Sequence, residues 1–363
     1  MVDLTSLSLY PATQEQVIES RKRSFAEWGQ KLPLEEYLER DAYMDGLAHA
    51  KNNRLTTCFL RKGIIAAPDS SAVSEVSCYG IASVFTPAHK RGKGYARQMM
   101  RLLHWVMAPR NALPKFPEAW GSPPDATGNA DFSVLYSDVG SEFYHQCGPS
   151  DVKGNGWLSV GSIGTIWNAA SPGLAQDPEK ELYEWELLDK DDLEKVWRAD
   201  TAAMREDLLG ASKSSGRPCF AFLPTEGVAA FQVHRKATFS PGRPPVPALD
   251  HWGVVLAGTK GEPKTFATWT IDDSNPEKTP TFLVTRLRAT ANTLPSLMRR
   301  IRRAIEESVQ KPTATRIEVW NLPVELQLVA SQLGGITGAR GEHLPSFKWY
   351  GKEQEPQWLF NEK

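Results

Sequence analysis

The chain has 363 residues, with 42 Lys+Arg against 43 Asp+Glu, 41% hydrophobic and 23% charged, a balance that excludes a disordered, collagen-like or disulfide-scaffold protein. Its formal charge of −1 supplies no global field for a polyanion or an anionic membrane, so neither nucleic acid nor membrane is expected as a partner. Cys58, Cys78, Cys147 and Cys219 make no CxxC or Cys/His ligand spacing, which points to free thiols, a reducing cytoplasmic setting and no metal. No basic and apolar leader opens the sequence, and no window reaches the roughly 18 apolar residues of a membrane span. At about 150 residues per domain, two domains are expected.

Residues 13 to 50 read as two short helices: Thr13 with Gln16 forms a capping-box pattern, and Pro33 opens the second. Leu55 to Leu60 and Cys78 to Thr86 are strand-like, rich in β-branched and aromatic residues. From Tyr95 to Met107, Ala96, Met99, Met100, Leu103, Val106 and Met107 recur at helical spacing and predict an amphipathic helix ending before Pro109. The Pro/Gly-rich stretch 109 to 130 reads as an irregular excursion, followed by a strand at Phe132 to Tyr136 and a short helix at Ser141 to Gln146 that stops at Gly148-Pro149. Residues 168 to 180 are small and polar and read as a linker. Beyond it, strands at Phe266 to Ile271 and Phe282 to Leu287, a helix from Leu294 to Val309, a strand at Arg316 to Trp320 and a helix at Val324 to Leu333 repeat the order strand, helix, strand, helix. Ser240 to Pro247 reads as a loop.

Chemistry concentrates in Ser83 to Ala96 (SVFTPAHKRGKGYA), where a strand passes through a glycine-containing turn straight into the amphipathic helix. Such a turn leaves the first helical N–H groups unpaired and aimed at one point, where the helix dipole also favours negative charge. Gly92 and Gly94 permit positive φ and Ala96 keeps the helix floor low, a design suited to a pyrophosphate. Neither Gly-x-Gly-x-x-Gly nor the Walker spacing is present here, so nucleotide hydrolysis loses its support.

Arg91-Gly92-Lys93-Gly94-Tyr95-Ala96 resembles the Arg/Gln-x-x-Gly-x-Gly/Ala signature of the GNAT superfamily of acetyl-CoA-dependent N-acetyltransferases. The run Phe143-Tyr144-His145-Gln146-Cys147-Gly148 resembles the same superfamily's Phe-Tyr-x-x-x-Gly-Phe helix, with Pro149 standing where an aromatic residue is usual. With the Asn361-Glu362-Lys363 end after a tryptophan, these runs are similar to the fungal lysine acetyltransferase family. The resemblance implies an α/β fold with α+β mixed sheets and tandem GNAT-like domains. Residues 1–170 would form the acetyl-CoA-binding catalytic domain and residues 180–363 a degenerate copy that completes the acceptor pocket. Only the first copy has the loop, because Arg286-Leu-Arg-Ala-Thr-Ala-Asn lacks glycine at the corresponding place.

The implied reaction transfers acetyl from acetyl-CoA to a small-molecule amine, with free lysine favoured. Protein amines, an amine-bearing secondary metabolite, and a non-catalytic acyl-CoA-binding scaffold suggested by Pro149 stay open. Backbone N–H groups at Val84, Phe85 and Thr86 would polarise the carbonyl, and Tyr144 would protonate the departing thiolate. An ammonium of pKa about 10.4 costs about 4.6 kcal/mol to deprotonate at pH 7, so a base is needed. Asp138 and Glu27, the latter on the acceptor side, are the candidates. His89 and His104 read as surface and helix-face residues, and Arg299, Arg300, Arg302 and Arg303 as a solvated helix face. Trp252, Trp269, Trp320, Trp349 and Trp358 read mostly as core.

Overall fold

Thr13 caps the first helix, α1 (Gln14–Trp28), and the Gln16 side chain accepts the Thr13 N–H at 2.9 Å, completing the reciprocal box. The computed structural model describes residues 7–29, 32–50, 58–175, 183–240, 243–246, 248–258, 265–272, 279–307, 315–351 and 356–361. After α1 come α2 (Leu34–Asp45), β1 (Cys58–Ala66), β2 (Ser74–Ile81), α3 (Tyr95–Met107), β3 (Phe132–Ser137), α4 (Glu142–His145), β4 (Leu158–Ser159) and β5 (Ile163–Asn168). Then follow β6 (Trp185–Leu188), α5 (Leu193–Ser215), β7 (Cys219–Phe222), α6 (Ala230–His234), and the small hairpin β8 (Thr238–Ser240) and β9 (Arg243–Val246). The remainder is β10 (Gly253–Leu256), β11 (Phe266–Asp272), β12 (Thr281–Arg288), α7 (Leu294–Glu307), β13 (Arg316–Trp320), α8 (Val324–Gln332), β14 (Ile336–Ala339), β15 (Leu344–Trp349) and β16 (Gln357–Trp358).

Three strands differ from the sequence expectation, one of them β9, whose residues Arg243–Val246 pair with β8 inside the stretch that reads as a loop. β1 continues through Arg61-Lys62-Gly63 to Ala66, while residues 55–57 of the expected strand lie outside the described residues. Gly63 is required there by packing, since a Cβ would stand 2.7 Å from the Phe132 ring. β2 ends at Ile81 instead of Thr86, because Ser83 takes a left-handed φ of 58° that no strand tolerates. Residues 176–180 of the expected linker, the end of the expected helix after Glu307, residues 241, 242 and 247 of the expected loop and the last two residues also lie outside the described set.

The chain divides into two compact units, and both are interleaved in sequence. The first comprises residues 1–162, 208–223 and 341–359; the second comprises 163–207, 224–340 and 360–363. A single division into 1–170 and 180–363 does not reproduce this. β5, from the first half of the sequence, pairs with β13 and β14 in the second sheet, while β7, β15 and β16, from the second half, complete the first. Long-range pairing of this kind leaves no local signature in composition.

In the first unit the strand order is β16-β7-β1-β2-β3-β15-β4, with β2 and β3 parallel and α3 between them in sequence. β3 is buried on both faces: Leu135 faces a cluster with Met100, Leu103 and Met107 of α3, whereas Phe132 and Val134 face Phe220, Phe347, Trp349 and Trp358. Full burial of side chains of this size stabilises by roughly 1.5–3 kcal/mol each. His104, read from the sequence as a helix-face residue, lies on the buried face of α3, its ring bonded to the Tyr350 hydroxyl at 2.7 Å and the Cys147 carbonyl at 2.8 Å.

The second unit repeats the plan. Its sheet runs β14-β5-β13-β12-β11-β10-β6, again with one parallel pair, β12 and β13, connected through a helix, α7. Leu294, Leu297, Met298, Ile301 and Ile305 of α7 pack into one core with Trp252, Phe266, Trp269 and Phe282. Three arginines of the expected solvated face are met by acids on the same helix, Arg302 by Glu306, and Arg300 and Arg303 by Glu307, but the face is partly covered: Arg300 is only 13% exposed and the Nε of Arg299 is buried. All five tryptophans read as core from the sequence are buried. Among the described residues no helix is long and apolar enough to cross a membrane.

Candidate active site

The parallel ladder between β2 and β3 stops at Ile81 opposite Leu135, and the chain beyond Ile81 turns away at Ser83. Val84, Phe85 and Thr86 therefore leave the sheet half-buried, and their N–H groups bond to no described residue. Diverging ends of parallel strands are where α/β folds open a crevice. The superfamily resemblance placed carbonyl-polarising amides at these positions, and the observed end of β2 gives the physical reason they are unpaired.

Arg91 shapes the turn that follows. Its Nε donates to the Thr86 carbonyl at 2.9 Å, and its Nη2 pairs with Glu27 of α1 at 2.8 Å. Gly92 and Gly94 hold φ of 73° and 86°, and Gly94 is the N-cap of α3 without any side-chain cap. The first intrahelical bond runs from Gln98 N–H to the Gly94 carbonyl at 3.0 Å, so the N–H groups of Tyr95, Ala96 and Arg97 have no helical acceptor. No acidic residue occupies the first turn of α3, and Lys93 is exposed beside it. This is the electrostatic setting of an anion site. A cleft of about 230 Å³ opens alongside, lined by Phe85, Thr86, Lys90, Tyr95 and Ala96 among others.

Tyr144 stands on α4, in the same buried cluster as Ile81 and Leu135, the last pair of the ladder, and edge-on to Trp157 at 6.4 Å. Among the described residues its hydroxyl has no hydrogen-bond partner. Burial first, then the nearby charge of Asp138 and the Cys147 thiol, push the phenol up to about 12, so it is protonated at neutral pH. The backbone carbonyl of Pro149 accepts the Trp105 indole N–H at 3.1 Å.

The two candidates for base are both engaged. Glu27 is held by Arg91, half-exposed, which makes it a strut for the turn. Asp138 does not cap α4: its Oδ1 accepts the His343 backbone N–H at 2.8 Å and lies 2.8 Å from His343 Nδ1. His343 was not singled out by the sequence, which separates it from Asp138 by 205 positions without a shared motif.

In the second unit the corresponding helix opening is closed on itself. Thr290 and Thr293 bond each other's backbone N–H groups at 3.0 and 3.3 Å in the turn before α7, and Arg286 and Arg288 are drawn onto the buried carboxylate of Asp200 at 2.6 and 2.7 Å. No cluster of His, Cys, Asp or Glu among the described residues could hold a metal ion.

A lysine acetyltransferase of Yarrowia lipolytica (strain CLIB 122 / E 150) is 28% identical over 156 aligned residues, which cover 37% of this chain and 38% of that protein. The chain thus aligns with less than half of that relative's length. Among solved structures, a GCN5-related N-acetyltransferase from Kribbella flavida aligns with a TM-score of 0.48 at 11% identity over 93% of this chain and 69% of that one. Eis1 from Mycobacterium abscessus aligns with a TM-score of 0.35 at 11% identity, over 82% and 63%. The family model for the LYC1 GNAT-like C-terminal domain matches residues 169–363, more than half of the sequence. The repeated strand, helix, strand plan and the extent of that match carry one conclusion: the chain belongs to the LYC1-like GNAT family.

Proposed function

We propose that the protein is an acetyl-CoA-dependent N-acetyltransferase acting on a small amine, with free lysine the favoured acceptor. The observation that carries the reading is the uncapped opening of α3: Tyr95, Ala96 and Arg97 present unpaired N–H groups next to the parting of β2 and β3, with Tyr144 in the same buried cluster as Ile81 and Leu135, the last ladder pair. Diphosphate on those amides would leave the thioester directed toward Val84 to Thr86 and Tyr144. The relative's name, lysine acetyltransferase, supports the choice of acceptor.

In this reading the amine lone pair attacks the thioester carbonyl, whose oxygen gathers charge next to the Val84 to Thr86 amides. The C–S bond breaks as the Tyr144 phenol gives its proton to the thiolate. Arg91 holds the turn, and Glu27 holds Arg91. The self-capped turn before α7 and the arginines committed to Asp200 support placing the coenzyme in the first unit.

Calorimetry with acetyl-CoA and a thiol-release assay over free lysine, ornithine, polyamines, amine-bearing metabolites and lysine peptides test the reading. Binding with turnover of free lysine above the other amines is expected. Binding without turnover of any amine would leave a scaffold, and absence of binding would remove the coenzyme site altogether.

A further inference from the structure

We propose that His343, oriented by Asp138, is the proton acceptor that prepares the amine for attack, an inference that rests on the acetyl-transfer reading above. Three observations converge on this pair. The first is a two-point clasp, in which one carboxylate oxygen of Asp138 meets both the backbone N–H and the Nδ1 of His343 at 2.8 Å. The carboxylate oxygen 2.8 Å away favours the proton on Nδ1, which makes Nε2 the basic nitrogen of the ring. The second is backbone conformation: His343 adopts φ of 50°, a left-handed geometry uncommon for a residue with a side chain and one that gathers at functional sites. The third is placement. Leu344 pairs with Ser137 at the carboxyl end of β3, so His343 and Asp138 sit side by side where β2 and β3 have already parted, and Asp138 is close enough to Tyr144 to act on its phenol.

The ring is about one-third exposed, unlike the wholly buried His104. Asp138 is a positioning residue in this arrangement. The proton balance closes. His343 Nε2 takes one proton from the ammonium and later releases it to solvent, and the freed amine forms the C–N bond. The second N–H proton leaves as the tetrahedral intermediate collapses and, through solvent, restores the Tyr144 phenol that protonated the thiolate. The net products are the amide, the free thiol of coenzyme A and one proton.

The test uses the full chain with His343→Ala, His343→Gln and Asp138→Asn, scored for kcat and KM with the amine the native protein turns over best, for acetyl-CoA binding by calorimetry, and for thermal melting. Loss of a general base should lower kcat by about 100-fold or more in both His343 variants, with acetyl-CoA affinity within about twofold of native. Added imidazole should restore at least about tenfold in His343→Ala, while Asp138→Asn should lower kcat without changing KM for acetyl-CoA. Full activity in His343→Gln, or a deficit in His343→Ala that imidazole leaves untouched, would reduce the pair to a structural clasp. Should His343→Ala fail to fold, the isosteric His343→Gln decides. A native protein that binds acetyl-CoA yet releases no thiol with any amine overturns the acetyl-transfer reading itself, an outcome distinct from active histidine variants.

Discussion

His104 donates Nε2–H to the Cys147 carbonyl, which can only accept, so its Nδ1 takes the Tyr350 hydroxyl hydrogen bond at 2.7 Å, and this fixes the direction of a buried chain of hydrogen bonds. Trp157 Nε1–H, a donor only, bonds Ser133 Oγ at 3.0 Å; Ser133 passes its proton to Tyr350 at 3.0 Å; His104 then donates Nε2–H to the Cys147 carbonyl at 2.8 Å. Every member is satisfied only while the imidazole is neutral, and Trp157 stacks on its face at 4.0 Å. The chain ties α3, β3, the α4 stop and the residue after β15 together, which places the opening of α3 and Tyr144 on one rigid support.

Acid should loosen that support. Burial holds His104 at about 3, far below the ordinary histidine value of 6.5, so unfolding takes up a proton between these pH values. The sign follows: the stability gained by keeping the ring neutral is whole above pH 6.5 and is lost as pH falls toward 3, at no more than about 1.4 kcal/mol per pH unit. Urea unfolding from pH 7 down to about 4.5 on the native chain and on His104→Gln measures it. The variant should be less stable at neutral pH and show the shallower pH slope; equal slopes would assign the acid sensitivity to the carboxylates.

Coenzyme affinity should depend on backbone geometry more than on surface charge. Gly92 has open space where a Cβ would go, so Gly92→Ala tests the φ of 73° and nothing else. A left-handed conformation costs an L-residue roughly 1–2 kcal/mol, so acetyl-CoA affinity should fall about tenfold in Gly92→Ala and in Gly94→Ala. Lys93→Ala, which removes an exposed and screened charge, should cost less. Calorimetry at one fixed ionic strength ranks the three. A larger loss in Lys93→Ala would move the phosphate contact from amides to side chain.

The elements that could be read from the sequence are those whose signals are local. The α3 stripe, the Thr13–Gln16 box and the glycines before Tyr95 each carry their physics within a few residues. The end of β2 was hidden because Val84, Phe85 and Thr86 have strand-like composition and the reversal falls on Ser83, a residue type that does not announce positive φ. β1 was cut short by Arg61-Lys62-Gly63, whose glycine answers to Phe132, a residue distant in sequence. His104 reads as a helix-face residue because nothing near it in sequence foretells Tyr350. The Asp138–His343 contact is invisible for the same reason: it exists only because β15 pairs with β3.

That pairing makes the first unit dependent on the whole chain. A fragment ending at residue 170 lacks β7, β15 and β16, three of the seven strands of its sheet, and with them Phe220, Phe347, Trp349 and Tyr350. β3 would lose its antiparallel neighbour and expose Phe132 and Val134. Such a fragment should show poor amide dispersion by NMR and no thiol release. A well-folded, active fragment would contradict the interleaved division.

Tyr144→Phe separates chemistry from packing. The hydroxyl has no protein partner among the described residues, so its removal should shift stability by less than about 0.5 kcal/mol and leave the edge-on contact with Trp157 in place. If the phenol protonates the thiolate, kcat should fall by about 100-fold or more while acetyl-CoA affinity holds. The native pH–rate profile adds a second constraint. With the phenol pushed up to about 12, deprotonation of Tyr144 should produce no falling alkaline limb below about pH 11, and any limb at lower pH belongs to another group. A variant that keeps full kcat would make Tyr144 a core aromatic, and the thiolate would then take its proton from solvent.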